Sequence, residues 1–356
     1  MQTDEYWMRF ALRQALKAIG ATSPNPMVGA VIVKNNRLIA SGYHHKAGMP
    51  HAEIEALNAT EDAKGATMYV TLEPCNHYGR TPPCTAAIAA SGIKRAVIAA
   101  RDPNPEAAGG IERLKKAGIE VKVGVCEKEA RKINEVFITN VTKRRPFVVM
   151  KAATTLDGQI ATLTGSSNWV TGDISRQYTK RLRSRYDSIL IGANTARSDN
   201  PTLLPYKKSG KFYRIVFDSR LTLGYPNLLS NPENLIIFCD EKIDNSRLKL
   251  IDKRVIIKKV KNKNGKLDIK EVLITLFQMG IMSVFVEGGA NIHKSFLDER
   301  LYDKAFIFVA PKFLGGKGIP LFHGKGVDFM KDAIALKETV FRKIGKDLVI
   351  SGYFDV

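Results

Sequence analysis

The sequence predicts two successive layered α/β domains, and three observations carry that prediction. At 356 residues the chain is long enough for roughly two cores of about 150 residues each. Both halves alternate short apolar runs with stretches of helical periodicity, the pattern of sheets flanked by helices. A composition break at Lys143-Arg144-Arg145-Pro146 divides them, so the expected domains are 1–145 and 146–356. Hydrophobic content of 44% and charged content of 25% are ordinary for a globular chain, and no apolar run approaches the ~18 residues of a membrane span. The start, Met1 to Tyr6, lacks the basic and apolar regions of a secretory signal. Four cysteines make no disulfide framework, so the expected compartment is the reducing cytoplasm.

In the first half, Met8, Leu12, Ala15, Leu16 and Ile19 fall at helical spacing, and Gly20 follows as a stop. Pro24-Asn25-Pro26 breaks the chain before a buried strand over 28–33; Asn35-Asn36 turns it into a hairpin partner over 38–43. His51 follows Pro50 at the start of a helix, and 67–72 is the next strand. Pro82-Pro83-Cys84 opens a second helix with prolines where a first turn tolerates them, and Gly92 closes it. A strand over 93–100, a helix over 111–117, a strand over 119–125 and one helix over 127–140 complete the half. The second half reads as strands over 147–150, 188–191, 214–217, 235–238, 255–257, 283–286 and 305–309, helices over 269–279 and 292–297, and a hairpin about Gly345.

The formal net charge of +20 fits either a nucleic-acid surface or small anionic ligands. Its densest run, Lys258 to Lys266, surrounds an Asn-Gly turn signal and reads as a solvated loop.

One stretch carries chemistry. His51 with Cys75 and Cys84 makes a three-point cage for zinc that leaves a fourth position for water, a catalytic rather than a structural arrangement. His-x-Glu followed by Pro-Cys and a second Cys is the signature of zinc deaminases. A cysteine in the first turn of a helix has a lowered thiol pKa, as a thiolate ligand needs. Zinc brings the pKa of coordinated water toward ~7, and Glu53 is placed to take a proton from that water and deliver it to departing ammonia. The substrate then needs an amino group on an amidine-like carbon, as in aminopyrimidines. Eight residues separate the two cysteines, whereas base deaminases of nucleic acid carry a tight Cys-x-x-Cys pair. That spacing argues against a tRNA or DNA deaminase, and a non-catalytic zinc-stabilised nucleic-acid binder leaves Glu53 unexplained. In the second half, Glu287-Gly288-Gly289-Ala290-Asn291 lies between a strand and a helix, where glycines leave room for phosphate. It is not Gly-x-Gly-x-x-Gly, so no Rossmann domain is implied.

With Pro24-Asn25-Pro26-Met27-Val28-Gly29, Gly42-Tyr43-His44, His51-Ala52-Glu53, Thr71 to Cys75, Gly79 to Cys84 and Asp102-Pro103-Asn104-Pro105, the first half resembles the bifunctional riboflavin-biosynthesis deaminase/reductase family, and the second half continues the match. The resemblance implies a cytidine-deaminase-like three-layer α/β/α domain followed by a dihydrofolate-reductase-like α/β domain. The first would use Zn2+ to deaminate a diaminopyrimidinone ribosylamine 5'-phosphate, and the second would use NADPH to reduce the ribosyl to a ribityl chain.

Carried over position by position, the resemblance implies that Asn25, His44, His77, Arg80, Thr81, Asp102 and Asn104 line the deaminase pocket around His51, Cys75, Cys84 and the catalytic Glu53. In the reductase it implies Lys151, Ser167, Arg183, Leu203 and Glu287 for substrate, and Ala153, Trp169, Thr195, Asp199, Gly288, Gly289, Ala290 and Asn291 for cofactor. Where the family commonly has Arg, this chain has Tyr206; either Lys207 or Lys208 supplies that charge, or the reductase activity is weakened or altered. The expected partners are a small phosphorylated pyrimidine and a second copy of the chain, with no nucleic acid and no membrane.

Overall fold

In this computed structural model the described residues are 2–77, 82–208, 210–249, 251–263 and 265–355. The chain divides into two compact units, residues 1–144 and 145–356, each with its own apolar core.

The first unit contains strands β1 (Gly29–Lys34), β2 (Arg37–Tyr43), β3 (Thr67–Val70), β4 (Arg95–Ile98) and β5 (Glu120–Val123). Its helices are α1 (Asp4–Ala15), α2 (Ala52–Asn58), α3 (Cys84–Ala90), α4 (Gly110–Lys116), α5 (Glu127–Ile133) and α6 (Glu135–Lys143). The sheet order is β2-β1-β3-β4-β5; β1 is antiparallel to both neighbours, and β3, β4 and β5 run parallel. Neighbouring residues of a strand face opposite sides of a sheet. At Gly29 an added Cβ would meet the Ala11 carbonyl of α1 at 2.1 Å, and at Gly42 it would meet the Ala56 nitrogen of α2 at 2.5 Å. Gly42 stands opposite Ala30, so α1 and α2 cover opposite faces, and the unit is layered helix, sheet, helix.

The single helix expected over 127–140 is two. Asn134 breaks it (φ −105°, ψ 20°) because its side chain serves another partner: Oδ1 accepts from the Met27 nitrogen at 2.7 Å and Nδ2 donates to the Met27 carbonyl at 3.0 Å. A side-chain amide that pairs with a remote backbone competes with the helix it sits in.

The second unit holds β6 (Phe147–Thr154), β7 (Gln159–Thr162), β8 (Ser188–Gly192), β9 (Tyr213–Phe217), β10 (Leu235–Asp240) and β11 (Ile256–Val260). It continues through β12 (Asn262–Lys263), β13 (Lys266–Leu267), β14 (Ser283–Val286), β15 (Lys304–Val309), β16 (Gly318–Pro320), β17 (Leu336–Ile344) and β18 (Asp347–Phe354). Its helices are α7 (Asp173–Arg183), α8 (Ala193–Asp199), α9 (Pro226–Leu229), α10 (Asn245–Leu248), α11 (Ile269–Gln278) and α12 (Ala290–Asp298). The main sheet has nine strands in the order β11-β10-β9-β8-β14-β6-β15-β18-β17. From β11 to β15 all neighbours are parallel, and the β17–β18 hairpin closes one edge antiparallel. Strands buried on both faces read as unbroken apolar runs, as β8 and β14 do, every residue buried.

The Lys258–Lys266 run is only in part the solvated segment its charge suggested: Lys261, Lys263 and Lys266 are exposed, but its start is not free. Lys258 and Lys259 belong to edge strand β11, and the Lys259 ammonium donates to the Ile243 carbonyl at 2.7 Å and to Asn245 Oδ1 at 2.9 Å. Long lysine stems lie along apolar surface while the charged end finds polar partners, which is how a basic run serves a sheet edge.

Candidate active sites

The metal-binding candidates meet because three element ends converge. His51 caps the start of α2 in extended conformation, Cys84 is the first residue of α3, and Cys75 lies beyond the end of β3. His51 Nδ1 is 3.2 Å from Cys84 Sγ and 3.5 Å from Cys75 Sγ, and the three donor atoms lie within 4.8 Å of one another. One imidazole nitrogen and two sulfurs converging on a point fit zinc, which such donors hold tetrahedrally with one position to spare. The Cys84 backbone N–H points at Cys75 Sγ at 3.4 Å, and the Cys84 thiol holds the Cys75 sulfur down at about 4, as a thiolate. That contact and burial push the Cys84 thiol up, against the lowering expected from its place in the first turn of α3, because the neighbouring Cys75 sulfur takes the negative charge. Glu53, in the first turn of α2, is 3% exposed, and burial raises its carboxyl to about 7.

Around this cage, His44 Nδ1 donates to the Pro50 carbonyl at 3.0 Å, which leaves Nε2 to accept from Asn25 Nδ2 at 3.0 Å. The His44 ring stands edge-on to that of His51, centroids 5.5 Å apart, so Asn25 and His44 form one wall beside the cage. Burial keeps His44 neutral by lowering its pKa. Asp102 accepts from the Asn104 nitrogen at 2.8 Å, and burial lifts its carboxyl to about 6. His77 is exposed and close enough for its charge to act on Asp102. Arg80 and Thr81 lie outside the described residues.

Glu73 had no role from sequence alone, yet it organises this rim. Its carboxylate is 5% exposed and accepts from the backbone nitrogens of Asp102 (3.2 Å), Gly109 (3.0 Å) and Ile111 (3.1 Å). An added Cβ at Gly110 would meet the Pro74 carbonyl at 1.9 Å, so only glycine lets α4 start against the turn that carries Cys75. The available signal was an acidic residue immediately before Pro-Cys at a strand end.

In the second unit, a cleft of about 1640 Å³ opens at the carboxyl ends of the parallel strands, where open α/β sheets bind ligands. All the reductase candidates line it: Lys151 and Ala153 from β6, Ser167 and Trp169 after β7, Arg183 from α7, Thr195 and Asp199 from α8, Leu203, and Glu287 to Asn291 between β14 and α12. Glu287 sits among cations. Arg183 donates to it through Nε and, at 3.1 Å, through Nη2; Lys151 Nζ is 3.4 Å away. Burial alone would raise this carboxyl, but Arg183 and Lys151 hold it at about 2, so it stays ionised. At Gly288 an added Cβ would meet Ile292 at 2.6 Å, a close approach that glycine alone permits. Trp169 is 63% exposed, with the Arg176 guanidinium 4.3 Å above its ring, so it is a cleft wall and not core.

Sequence reasoning missed further lining residues. Ser219 and Arg220 follow β9 into the cleft, and Arg176 and Lys180 face it from α7. The i, i+4, i+7 spacing of Arg176, Lys180 and Arg183 was the signal for a basic helix face. His293 of α12, 1% exposed, accepts at Nδ1 from the Tyr302 hydroxyl at 2.8 Å, and burial lowers its pKa to about 3.

Residues 146–350 match the family described as the RibD C-terminal domain, and residues 1–100 match the cytidine and deoxycytidylate deaminase zinc-binding region. The chain is 44% identical over 356 residues to the riboflavin biosynthesis protein RibD of Aquifex aeolicus, covering 98% of each chain. It is 35% identical over 363 residues to that of Escherichia coli, again covering 98% of each. It is similar in structure to Acinetobacter baumannii RibD, with a TM-score of 0.88 at 36% identity, over 99% of both chains. It is also similar to a Thermotoga maritima diaminohydroxyphosphoribosylaminopyrimidine deaminase/5-amino-6-(5-phosphoribosylamino)uracil reductase, with a TM-score of 0.86 at 36% identity, over 99% of this chain and 98% of that one.

Proposed function

The chain belongs to the RibD family of bifunctional riboflavin-biosynthesis deaminase/reductases, and on that premise we propose how its residues divide the two reactions. The first domain is a zinc-dependent deaminase and the second an NADPH-dependent reductase. For substrate we propose the diaminopyrimidinone ribosylamine 5'-phosphate named by the Thermotoga relative, deaminated in residues 1–145 and then reduced to the ribityl compound in residues 146–356.

In the deaminase, His51, Cys75 and Cys84 hold the metal. Zinc, when bound there, acidifies water and so makes a nucleophile available near neutral pH. Glu53 carries the proton, its carboxylate accepting at the water side and the acid donating to the departing amino nitrogen. Asn25 and His44 form a polar wall for the pyrimidine edge, with Nε2 of His44 fixed as an acceptor by the Pro50 carbonyl. His77, Arg80, Thr81, Asp102 and Asn104 complete the pocket and its phosphate end. The convergence of His51, Cys75, Cys84 and a buried Glu53 on one point is the observation that carries this half.

In the reductase, Gly288–Asn291 at the start of α12, where backbone N–H groups face an anion, would hold the cofactor together with Ala153, Trp169, Thr195 and Asp199, and NADPH bound there would supply the hydride. Lys151, Ser167, Arg183, Leu203 and Glu287 receive the sugar, with Glu287 holding Lys151 and Arg183 in fixed positions. Tyr206 brings no charge, and Lys208 is engaged with Asp187, side chain 6% exposed. Lys207 is exposed but is not among the residues lining the cleft, and on this reading the 206–208 segment gives the reductase an altered grip on the substrate phosphate.

We place the enzyme in the cytoplasm as a homo-oligomer without nucleic-acid or membrane partners. All four cysteines are free, and no helix of the described residues is long and apolar enough to cross a membrane. Before and along β17, Phe329, Met330 and Phe341 are 65%, 87% and 63% exposed, and large exposed apolar side chains are what a self-association surface uses. The deciding experiment incubates pure protein with the diaminopyrimidinone phosphate, with and without NADPH, and follows mass. A product that has exchanged an amino group for oxygen is expected without NADPH, and a further gain of two hydrogens with it; unchanged substrate in both arms would refute the reading.

A further inference from the structure

We propose that Lys180 binds the phosphate monoester of the reductase substrate, in place of any cation from the 206–208 segment. The inference rests on reading the second cleft as the reductase site. Arg176, Lys180 and Arg183 stand at i, i+4 and i+7 of α7, hence on one helix face, and all three line the cleft.

The two outer cations are committed. Arg183 is clamped on Glu287. Arg176 donates to the Thr171 carbonyl at 2.8 Å, pairs with Asp173 and stacks on Trp169. Between them Lys180 is exposed to the cleft, and no carboxylate, carbonyl or ring among the described residues engages its ammonium.

The substrate segment runs alongside this face. The Leu204 carbonyl accepts from Arg183 Nη1 at 3.2 Å, and the Lys180 carbonyl accepts from the Tyr206 nitrogen at 3.0 Å. Leu203 lines the cleft next to them. The other nearby cations are turned elsewhere: Arg181 lies over the Tyr206 ring at 5.5 Å, Lys208 faces Asp187, and neither they nor Lys207 lines the cleft. A dianion held beside Arg183 and Leu203 thus meets one uncommitted cation on α7. A lysine in the last turn of a helix also suits the helix dipole, and that purely structural role predicts no preference for a phosphorylated substrate.

The test is steady-state reductase kinetics of the full-length protein with the deaminated pyrimidine ribosylamine, phosphorylated and dephosphorylated, alongside NADPH binding by fluorescence titration. Lys180→Ala should raise KM for the phosphorylated substrate about tenfold or more, the scale of one charge-assisted hydrogen bond. KM for the dephosphorylated substrate and the NADPH Kd should stay within about twofold. Lys180→Arg should recover most of the loss. Tyr206→Arg in the Lys180→Ala background should recover part of it, by restoring a guanidinium on the adjoining segment. An unchanged KM, or an equal rise for both substrates, overturns the proposal. Loss confined to NADPH binding assigns Lys180 to the cofactor and overturns it as well. A wild-type protein that oxidises no NADPH with either substrate instead defeats the reading of the cleft, an outcome distinct from any of these.

Discussion

At the residue scale, the proposed proton carrier of the deaminase is a carboxylate that is kept dry. Glu53 is 3% exposed and stands two positions after His51, one of the three candidate metal ligands. Glu53→Gln keeps the size and the capacity to hydrogen-bond but replaces the carboxyl by an amide that cannot transfer the proton, a contribution typically of ~10²–10⁴ in rate. The variant is expected to retain zinc by metal analysis, lose ammonia release by at least about a hundredfold, and still consume NADPH on pre-deaminated substrate. Ammonia release at the wild-type rate would remove Glu53 from the mechanism. Residue types and order made this site legible: a His, a Glu and two Cys in a known pattern need no geometry to be noticed. Glu73 was not legible, because its function is to accept three backbone N–H groups from 102, 109 and 111, residues that nothing in the local sequence ties to it.

At the element scale, the first helix is held to the sheet by charge as well as by packing. Asp4, 15% exposed at its side chain, accepts from Arg95 Nη1 at 2.8 Å and Nη2 at 2.9 Å, from Lys122 at 2.8 Å and from the Tyr69 hydroxyl at 3.0 Å. The Arg95 hydrogen bonds hold its carboxyl well below the usual carboxylate range. A group whose folded pKa is depressed adds stability above its unfolded pKa of ~3.9, and that stability fades as pH falls toward the folded value. Asp4→Asn should therefore cost about 1–3 kcal/mol near neutral pH, the range for charged hydrogen bonds. The difference from wild type should shrink below pH ~4, as read by denaturant unfolding across pH. A difference that persisted unchanged at pH ~2 would mean packing, not charge, anchors α1. Element boundaries followed the sequence where turn chemistry was local, as at Asn35 and Asn36 with φ of 50° and 57°. They departed from it at Asn134, where a partner more than a hundred residues away ended the helix, and at Lys258 and Lys259, where a neighbouring strand claimed a basic run.

At the scale of the whole molecule, each of the two units has a separate core and, among the described residues, its own group of candidates for one reaction. A fragment of residues 146–356 is expected to fold, bind NADPH on its own and sediment as more than a monomer, with Phe329, Met330 and Phe341 exposed for that contact. A folded fragment that fails to bind NADPH would count against the division of labour. The sequence by itself determined the class of chemistry, because metal ligands, a proton carrier and glycine turns announce themselves by residue type and spacing, and alternating apolar runs announce layers. Tertiary structure alone decided which charges are spent and which are available. Glu287 with Lys151 and Arg183, Lys208 with Asp187, and the uncommitted Lys180 look alike in sequence as scattered ions. Coulomb attraction acts through a few ångströms of space, and only the folded chain sets which of them are that close.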